Sequence, residues 1–194
     1  MAPTDEFYAR ALRYVRREYP DTIAWAKGIT PKTFRRMKTS TFMGQYVWCV
    51  YAAGFRVAVL GTKFPALRTA FADFDLARLA RMRSARAALR VIGHERKAAS
   101  VLRGARAIAG EGFARFKKRM LKEGPVALAA LPGIGPITKD HLARNIGLAN
   151  VAKDDIWIRR VSWPPWPRSS AGASRPRSTP ATGSSPSSSG TWPR

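Results

Sequence analysis

The chain has 194 residues, with 35 lysines and arginines against 12 acids, and a formal charge of +23. That length fits one domain, or two small lobes on a shared core, and a hydrophobic content of 45% is enough to pack an interior. The single cysteine, Cys49, excludes a disulfide framework, an all-cysteine zinc site and a cysteine-ligated iron–sulfur cluster. A surface of this sign attracts polyanions, nucleic acid before anionic membrane. Arginine-rich coding in a GC-rich genome is the competing explanation.

The N-terminal MAPTDEFYAR carries acids early and no apolar core of signal-peptide length. Phe7, Leu12, Val15 and Tyr19 set an amphipathic first helix, closed by Pro20. Pro31 stands at a helix start, and Thr33 to Lys38 reads as a basic turn. Phe42, Tyr46, Val47, Val50 and Tyr51 make a strongly apolar helix ending at Gly54. The apolar stretch from Tyr46 to Leu60 is broken by Arg56 and falls short of the ~18–20 residues of a bilayer span. Short helices are expected from Pro65 to Phe71 and from Leu76 to Met82, the second capped by Asp75. His94 to Ala109 is a basic amphipathic helix with Ala98, Val101, Leu102 and Ile108 on its apolar side, and Phe113 to Leu121 follows. No run alternates with period two for long enough to make a strand.

The composition changes near Val161. Residues 162–194 hold ten serines, seven prolines and four arginines, with no Asp, Glu, Lys, Leu, Ile, Val or Phe. Such a segment cannot bury enough apolar surface to offset its ordering entropy, so it reads as a disordered Ser/Pro/Arg tail. It is either a natural low-complexity extension or the product of a shifted reading frame. The second is favoured by the abrupt break within the helical IWIRRV and by three tryptophans in so simple a tail. Residues 1–161 then carry 31 bases against all 12 acids, and form the folded part.

The most informative run is Leu131-Pro-Gly-Ile-Gly-Pro-Ile-Thr-Lys-Asp-His-Leu-Ala-Arg-Asn-Ile-Gly147. Val126 to Leu131 reads as a helix and Gly133-Ile-Gly135 as a tight turn. Pro136 fits the first position of a second helix, where its missing N–H costs nothing. Leu142, Ala143 and Ile146 give that helix an apolar face, and Gly147 ends it. Two glycines allow close backbone approach of a ligand, and the free N–H groups at the second helix start, with the helix dipole, make a phosphate site. The competing reading is a plain αα-hairpin with a glycine-rich turn.

This run resembles the helix-hairpin-helix motif of DNA-binding proteins, whose core is Leu-Pro-Gly-Ile-Gly. The next segment, Val151-Ala-Lys-Asp-Asp-Ile-Trp-Ile-Arg-Arg160, extends the likeness to the helix-hairpin-helix DNA glycosylase superfamily. There a short loop after the hairpin delivers an essential aspartate, often as Lys-Pro-Asp. The matching triplet is Lys153-Asp154-Asp155, so the resemblance implies Asp155 as the catalytic residue. Trp157 stands at the usual histidine position and Asp154 in place of the proline. Upstream, Gln45-Tyr-Val-Trp-Cys-Val-Tyr-Ala-Ala-Gly-Phe-Arg56 is similar to the family's buried early helix, Phe64 to Phe71 and Phe74-Asp75 to the short helices after it, and Glu95-Arg-Lys-Ala to the basic helix preceding the hairpin. The resemblance spans about residues 5–161, is strongest over 131–160, and lies nearest the 3-methyladenine glycosylase branch.

The resemblance implies an all-α, two-lobed helical bundle that flips a damaged, alkylated base out of double-stranded DNA and excises it hydrolytically. A carboxylate such as Asp155 stabilises the oxocarbenium-like sugar and helps activate water; as a plain structural residue it would cap a helix starting at Ile156. The hairpin residues Gly133, Gly135, Ile137, Thr138 and Lys139 would bind the backbone. Trp25, Trp48, Tyr46, Tyr51 and Phe55 are candidates for an aromatic base pocket, with core packing as the alternative for each. Gln45, Trp48 and Tyr51 are the preferred set, Gln45 either hydrogen-bonding the base or facing solvent. The loop at Gly54–Arg56 is the candidate wedge. Bifunctional relatives carry a Schiff-base lysine where this chain has Ile137; Lys139 lies roughly 200° further around the helix and is expected to face solvent or a phosphate. The expectation is therefore a monofunctional enzyme without strand cleavage. His94 and His141 make no metal pattern, and no cofactor is expected beyond a monovalent cation held by hairpin carbonyls. Arg35, Arg36 and Lys38, with Lys117, Lys118 and Arg119, are either phosphate contacts or solvated faces.

The expected partner is DNA, with no membrane. The chain is expected to act as a monomer, in the cytoplasm on a bacterial nucleoid or in a eukaryotic nucleus. Two rivals stand beside the enzyme: a non-catalytic DNA-binding protein using the same hairpin, and an inactive, truncated glycosylase. In the family, later helices complete the lobe around the N-terminal helix. If residues 162–194 are genuine, Leu12 and Val15 are left exposed.

Overall fold

The computed structural model describes residues 3–154, with side chains from residue 5 onward. Among these residues the fold is all-α, without strands. The helices are α1 (Pro3–Glu18), α2 (Pro20–Gly28), α3 (Pro31–Arg35), α4 (Thr39–Ala52), α5 (Val57–Ala70), α6 (Leu76–Arg81), α7 (Arg86–Val91), α8 (Glu95–Glu111), α9 (Phe113–Glu123), α10 (Val126–Ala129) and α11 (Pro136–Asn145). A 3-10 turn, Ala72–Phe74, joins α5 to α6. Asp155, Trp157 and the Ser/Pro/Arg tail lie outside the described residues.

The core is organised by α4. Its fourteen residues, Thr39–Ala52, contain no charged side chain, and eight of them are buried. Burying a large apolar side chain contributes roughly 1.5–3 kcal/mol, so a helix apolar on most sides is stable only when surrounded. α5, α6, α8, α11 and the 3-10 turn all pack on it. At its N-terminal end Phe42 meets the rings of Phe113 and Phe116 on α9, each at 5.5 Å. The hairpin α10–α11 leans on α4 through α11, and α9 packs on α10.

Several helix termini bear out the sequence. Asp75 caps α6 by accepting from the Arg78 N–H at 2.7 Å. Thr30 and Thr33 form a reciprocal capping box around Pro31. Gly147 closes the hairpin at φ 74, and a Cβ there would lie 2.5 Å from the Thr30 carbonyl oxygen. That contact fixes the C-terminal side of α11 to the start of α3.

Other boundaries differ from expectation. The helix expected from Pro65 begins eight residues earlier, at Val57, and carries Pro65 inside it. Pro65 removes the helical donor to the Gly61 carbonyl, but residues 61 and 65 are both exposed, so water can serve that carbonyl, while Leu60 and Leu67 bury the opposite face. α2 and α7 are short helices that periodicity did not single out. The basic turn from Thr33 is partly the helix α3, and α10 ends at Ala129, leaving Leu131 in the turn.

α1 and α2 pack on each other, and no side chain from residue 5 to residue 30 is buried. Phe7, Tyr8, Tyr14, Tyr19 and Trp25 are each about half exposed or more, and Leu12 and Val15 are half-buried. Among the described residues, the apolar face of α1 has no core to enter. A hollow of about 910 Å³ lies along it, lined among the described residues by α1, and is an open groove.

Much of the basic charge is engaged within the fold. The Lys97 Nζ donates to the carbonyls of Val50 (2.6 Å), Tyr51 (3.3 Å) and Ala53 (2.6 Å), closing the C-terminus of α4. Lys63 donates to the Val91 carbonyl at the end of α7, Arg106 to those of Ala80 and Met82 at the end of α6, and Lys117 to those of Arg35 and Met37 at the end of α3. Each places a cation at the negative end of a helix. Arg119 pairs with Glu111 at 2.8 Å. In the two clusters Arg35–Lys38 and Lys117–Arg119, Lys117 and Arg119 therefore hold structure.

Candidate nucleic-acid interface

The turn between α10 and α11 is built by opposite uses of its residues. Leu131 and Ile134 point inward, at 5% and 7% exposure. Gly133 adopts φ 80, and a Cβ on it would lie 3.0 Å from Ser100 Cβ and 3.3 Å from Val50 Cγ2. Its glycine is thus required by conformation and by contact with α8 and α4. Gly135 differs. Its backbone is extended (φ −102, ψ −176), and a Cβ there would enter open space. Nothing among the described residues requires glycine at 135.

Tyr46 pins the turn from below. Fully buried on α4, its hydroxyl lies 2.5 Å from the Pro132 carbonyl oxygen and 3.0 Å from that of Ser100. Burial pushes the phenol well above its ordinary range, so it is a neutral donor. Gly104 makes room for it, since a Cβ at 104 would overlap the hydroxyl. The Pro132 carbonyl of the turn thus accepts from Tyr46.

α11 begins at Pro136 with Gly135 as its N-cap and no side-chain cap. The N–H groups of Ile137 and Thr138 precede the first intrahelical bond, Lys139 N–H to the Gly135 carbonyl at 2.9 Å. Ile137 is 41% exposed and Thr138 half-buried. Backbone donors, the positive end of the helix dipole and an unobstructed glycine thus share one surface. Lys139 does not simply face solvent: its Nζ is 2.8 Å from Asp140 Oδ1.

On the neighbouring face of α4 lies a cleft of about 420 Å³. Gly44 and Gln45 of α4, Phe64, Pro65 and Arg68 of α5, and Asp73 and Phe74 line much of it. Phe64 and Phe74 are 5.5 Å apart. Gly44 lets Phe74 lie against α4, a Cβ there meeting its ring at 3.1 Å. The rim is strained: Ala72, Asp73 and Phe74 are consecutive left-handed residues, with φ 52, 55 and 62. Left-handed backbone costs a non-glycine residue roughly 1–2 kcal/mol, and such strain tends to gather at functional sites. Asp73 pairs with Arg68 at 3.3 Å.

Of the preferred pocket residues, the structure brings only Gln45 to this cleft. Trp48 braces it from behind, edge-on to Phe64 at 5.0 Å. Tyr51 is wholly buried beside Phe71, its hydroxyl without a partner among the described residues and its phenol pushed up to about 12 by burial. Tyr51 is a core residue and offers no face to a base, because it lies on the side of α4 turned to the interior. Tyr46 is core for the same reason. Trp25 belongs to the outlying α2, and Phe55 lies beneath the Lys97 ammonium at 5.4 Å, in the loop of the candidate wedge. Phe64 and Phe74 were matched only to short helices, not to a pocket, and the left-handed turn was not expected; the FADFD run could have suggested only a bend.

One turn after Gln45, on the same α4 face, is Cys49. Asn145 of α11 donates to its sulfur at 3.8 Å, and burial pushes the thiol up to about 12, with the charge of Lys153 pulling it down. Cys49 is therefore a neutral, inert thiol. The charge of Lys153, on the chain that leaves the hairpin, is felt at this thiol. Among the described residues no cluster of His, Cys, Asp or Glu could hold a metal ion, and no helix is long and apolar enough to cross a membrane.

No family model matches the chain, and neither the curated proteins nor the solved structures compared with it give a match.

Proposed function

We propose that the chain is a monofunctional DNA N-glycosylase that excises a damaged, alkylated base from double-stranded DNA. The observation that supports this best is the hairpin: an uncapped helix start beside a glycine that the protein's own packing does not require. The N–H groups of Ile137 and Thr138 would take a backbone phosphate, with Gly135 as the point of closest approach and Lys139 beside it. The cleft lined by Gln45, Phe64 and Phe74 would receive the extruded base, and the Gln45 amide would hydrogen-bond its edge.

In the reaction, water adds hydroxyl to the sugar C1′, the N-glycosidic bond breaks, and the base leaves carrying the proton. The carboxylate of Asp155, two residues beyond Lys153, would stabilise the positive charge that develops on the sugar. Ile137 supplies no amine, so no Schiff base forms. No cofactor takes part; a monovalent cation held by hairpin carbonyls would only support the phosphate contact. The protein would work as a monomer on DNA, in the bacterial cytoplasm or a eukaryotic nucleus.

The test is D155N with a duplex containing one alkylated purine. Base release should fall by about 10²-fold or more, while duplex binding stays within a few-fold of the parent. Unchanged release overturns the enzyme reading. Borohydride should trap no covalent complex with abasic DNA. A second reading, a non-catalytic DNA-binding protein, is favoured by one observation: among the described residues the carboxylate lining the cleft, Asp73, is occupied by Arg68. Duplex binding without base release by the parent chain would select it.

A further inference from the structure

The hairpin donors occupy one point, yet the surface beside them carries two further cations. Ser100, whose Cβ faces Gly133, lies on α8. Arg96 and Arg103 flank it at spacings of four and three residues, so all three share one helix face. Their Cα atoms are about 10 Å apart along the axis, one on each side of the turn.

Both arginines are exposed. Among the described residues neither has a carboxylate partner; Arg103 makes only a long contact, 3.4 Å, from Nη2 to the neutral Ser100 hydroxyl. Their neighbours differ. Lys97 is consumed by three carbonyls at the end of α4, and Arg106 by two at the end of α6. The basic residues of α8 thus differ in what they meet: Lys97 and Arg106 close helix ends, while Arg96 and Arg103 hold no carbonyl or carboxylate among the described residues.

We propose that Arg96 and Arg103 form a two-point clamp on the sugar–phosphate backbone of duplex DNA, extending the anion site of the α11 N-terminus to either side. The inference rests on the proposed DNA-binding reading and deepens it. A guanidinium presents a planar fork of donors that fits phosphate oxygens. The spacing lets the pair grip backbone beyond the phosphate held by the hairpin. Such contacts fix position without reading sequence, as an enzyme searching for rare lesions requires.

The test is the salt dependence of binding to an undamaged duplex, measured by fluorescence anisotropy with the full chain. Each lost phosphate contact reduces the slope of log K against log salt by about 1, so R96Q/R103Q should reduce it by about 2. A matched control, R10Q/R13Q, removes the same charge from α1, which joins the body at the opposite end of α11 through Thr30; its slope should stay at the parent value. Both pairs are exposed, and thermal melts of the two variants should superimpose on the parent. An unchanged slope in R96Q/R103Q, with binding still weakened by G135A, overturns the clamp and leaves the hairpin reading standing. A parent chain whose duplex binding does not respond to salt overturns both.

Discussion

Alanine at Gly133 and at Gly135, two positions apart in one turn, should give opposite phenotypes. At 133 the backbone is left-handed (φ 80), and the new Cβ would press on Ser100 Cβ at 3.0 Å and Val50 Cγ2 at 3.3 Å. Left-handed backbone costs roughly 1–2 kcal/mol for alanine, and overpacking adds about 1–3 kcal/mol. Reduced freedom of the unfolded chain returns about 0.4–1 kcal/mol. A net loss of about 1–5 kcal/mol is expected, or roughly 2–20 °C in Tm for a domain of this size. At 135 the backbone is extended and the Cβ meets nothing. G135A should melt within about 2 °C of the parent, and the entropy gain favours a small rise. Its methyl group, however, would stand where a phosphate approaches the Ile137 and Thr138 N–H groups. Losing a charge-assisted hydrogen bond costs about 1.5–3 kcal/mol, which is about 10- to 100-fold in duplex affinity. Differential scanning fluorimetry and anisotropy titration measure the two effects on the same samples. Parental affinity in G135A would refute the phosphate site. A parental melt in G133A would refute the packing argument.

Y46F removes the hydroxyl beneath the turn and leaves the half-buried Pro132 carbonyl without its donor. The expected cost is about 1–3 kcal/mol, seen as a lower Tm and faster amide exchange at Ile134; an unchanged melt would contradict it. The Glu111 carboxyl is held below its ordinary 4.5 chiefly by the hydrogen bond from Arg119. Its contribution is complete above the unfolded value and is lost as pH falls through the lowered folded value. The parent should therefore lose stability on acidification below pH 4.5. E111Q should lose less over that interval, and equal losses would show that the pair contributes nothing.

The chemical character of each segment was legible where one residue type had one physical consequence. The apolar run from Phe42 to Tyr51 read as a buried helix, Asp75 as a cap, Pro31 as a helix start, and Gly133-Ile-Gly135 as a turn before a proline-started helix. The all-α fold follows from these and from the 3.6-residue periodicity of α8 and α9. The sequence also placed Gln45 as the odd polar residue of an apolar helix.

What it did not contain was direction. Tyr46, Trp48 and Tyr51 are equivalent aromatics on one helix. Only the packing of α5, α8 and α11 around α4 makes Tyr46 a pin under the hairpin, Trp48 a brace behind Phe64, and Tyr51 plain core. Likewise Arg96, Lys97, Arg103 and Arg106 read as one basic helix, and their contacts divide them into helix caps and free cations. The two hairpin glycines look alike in sequence, yet Ser100 and Val50, distant along the chain, make one obligatory and leave the other open. Local patterns fix conformation because backbone preferences act within a few residues. Which face meets the core and which meets a ligand depends on neighbours brought from far along the chain, and only the assembled helices decide it.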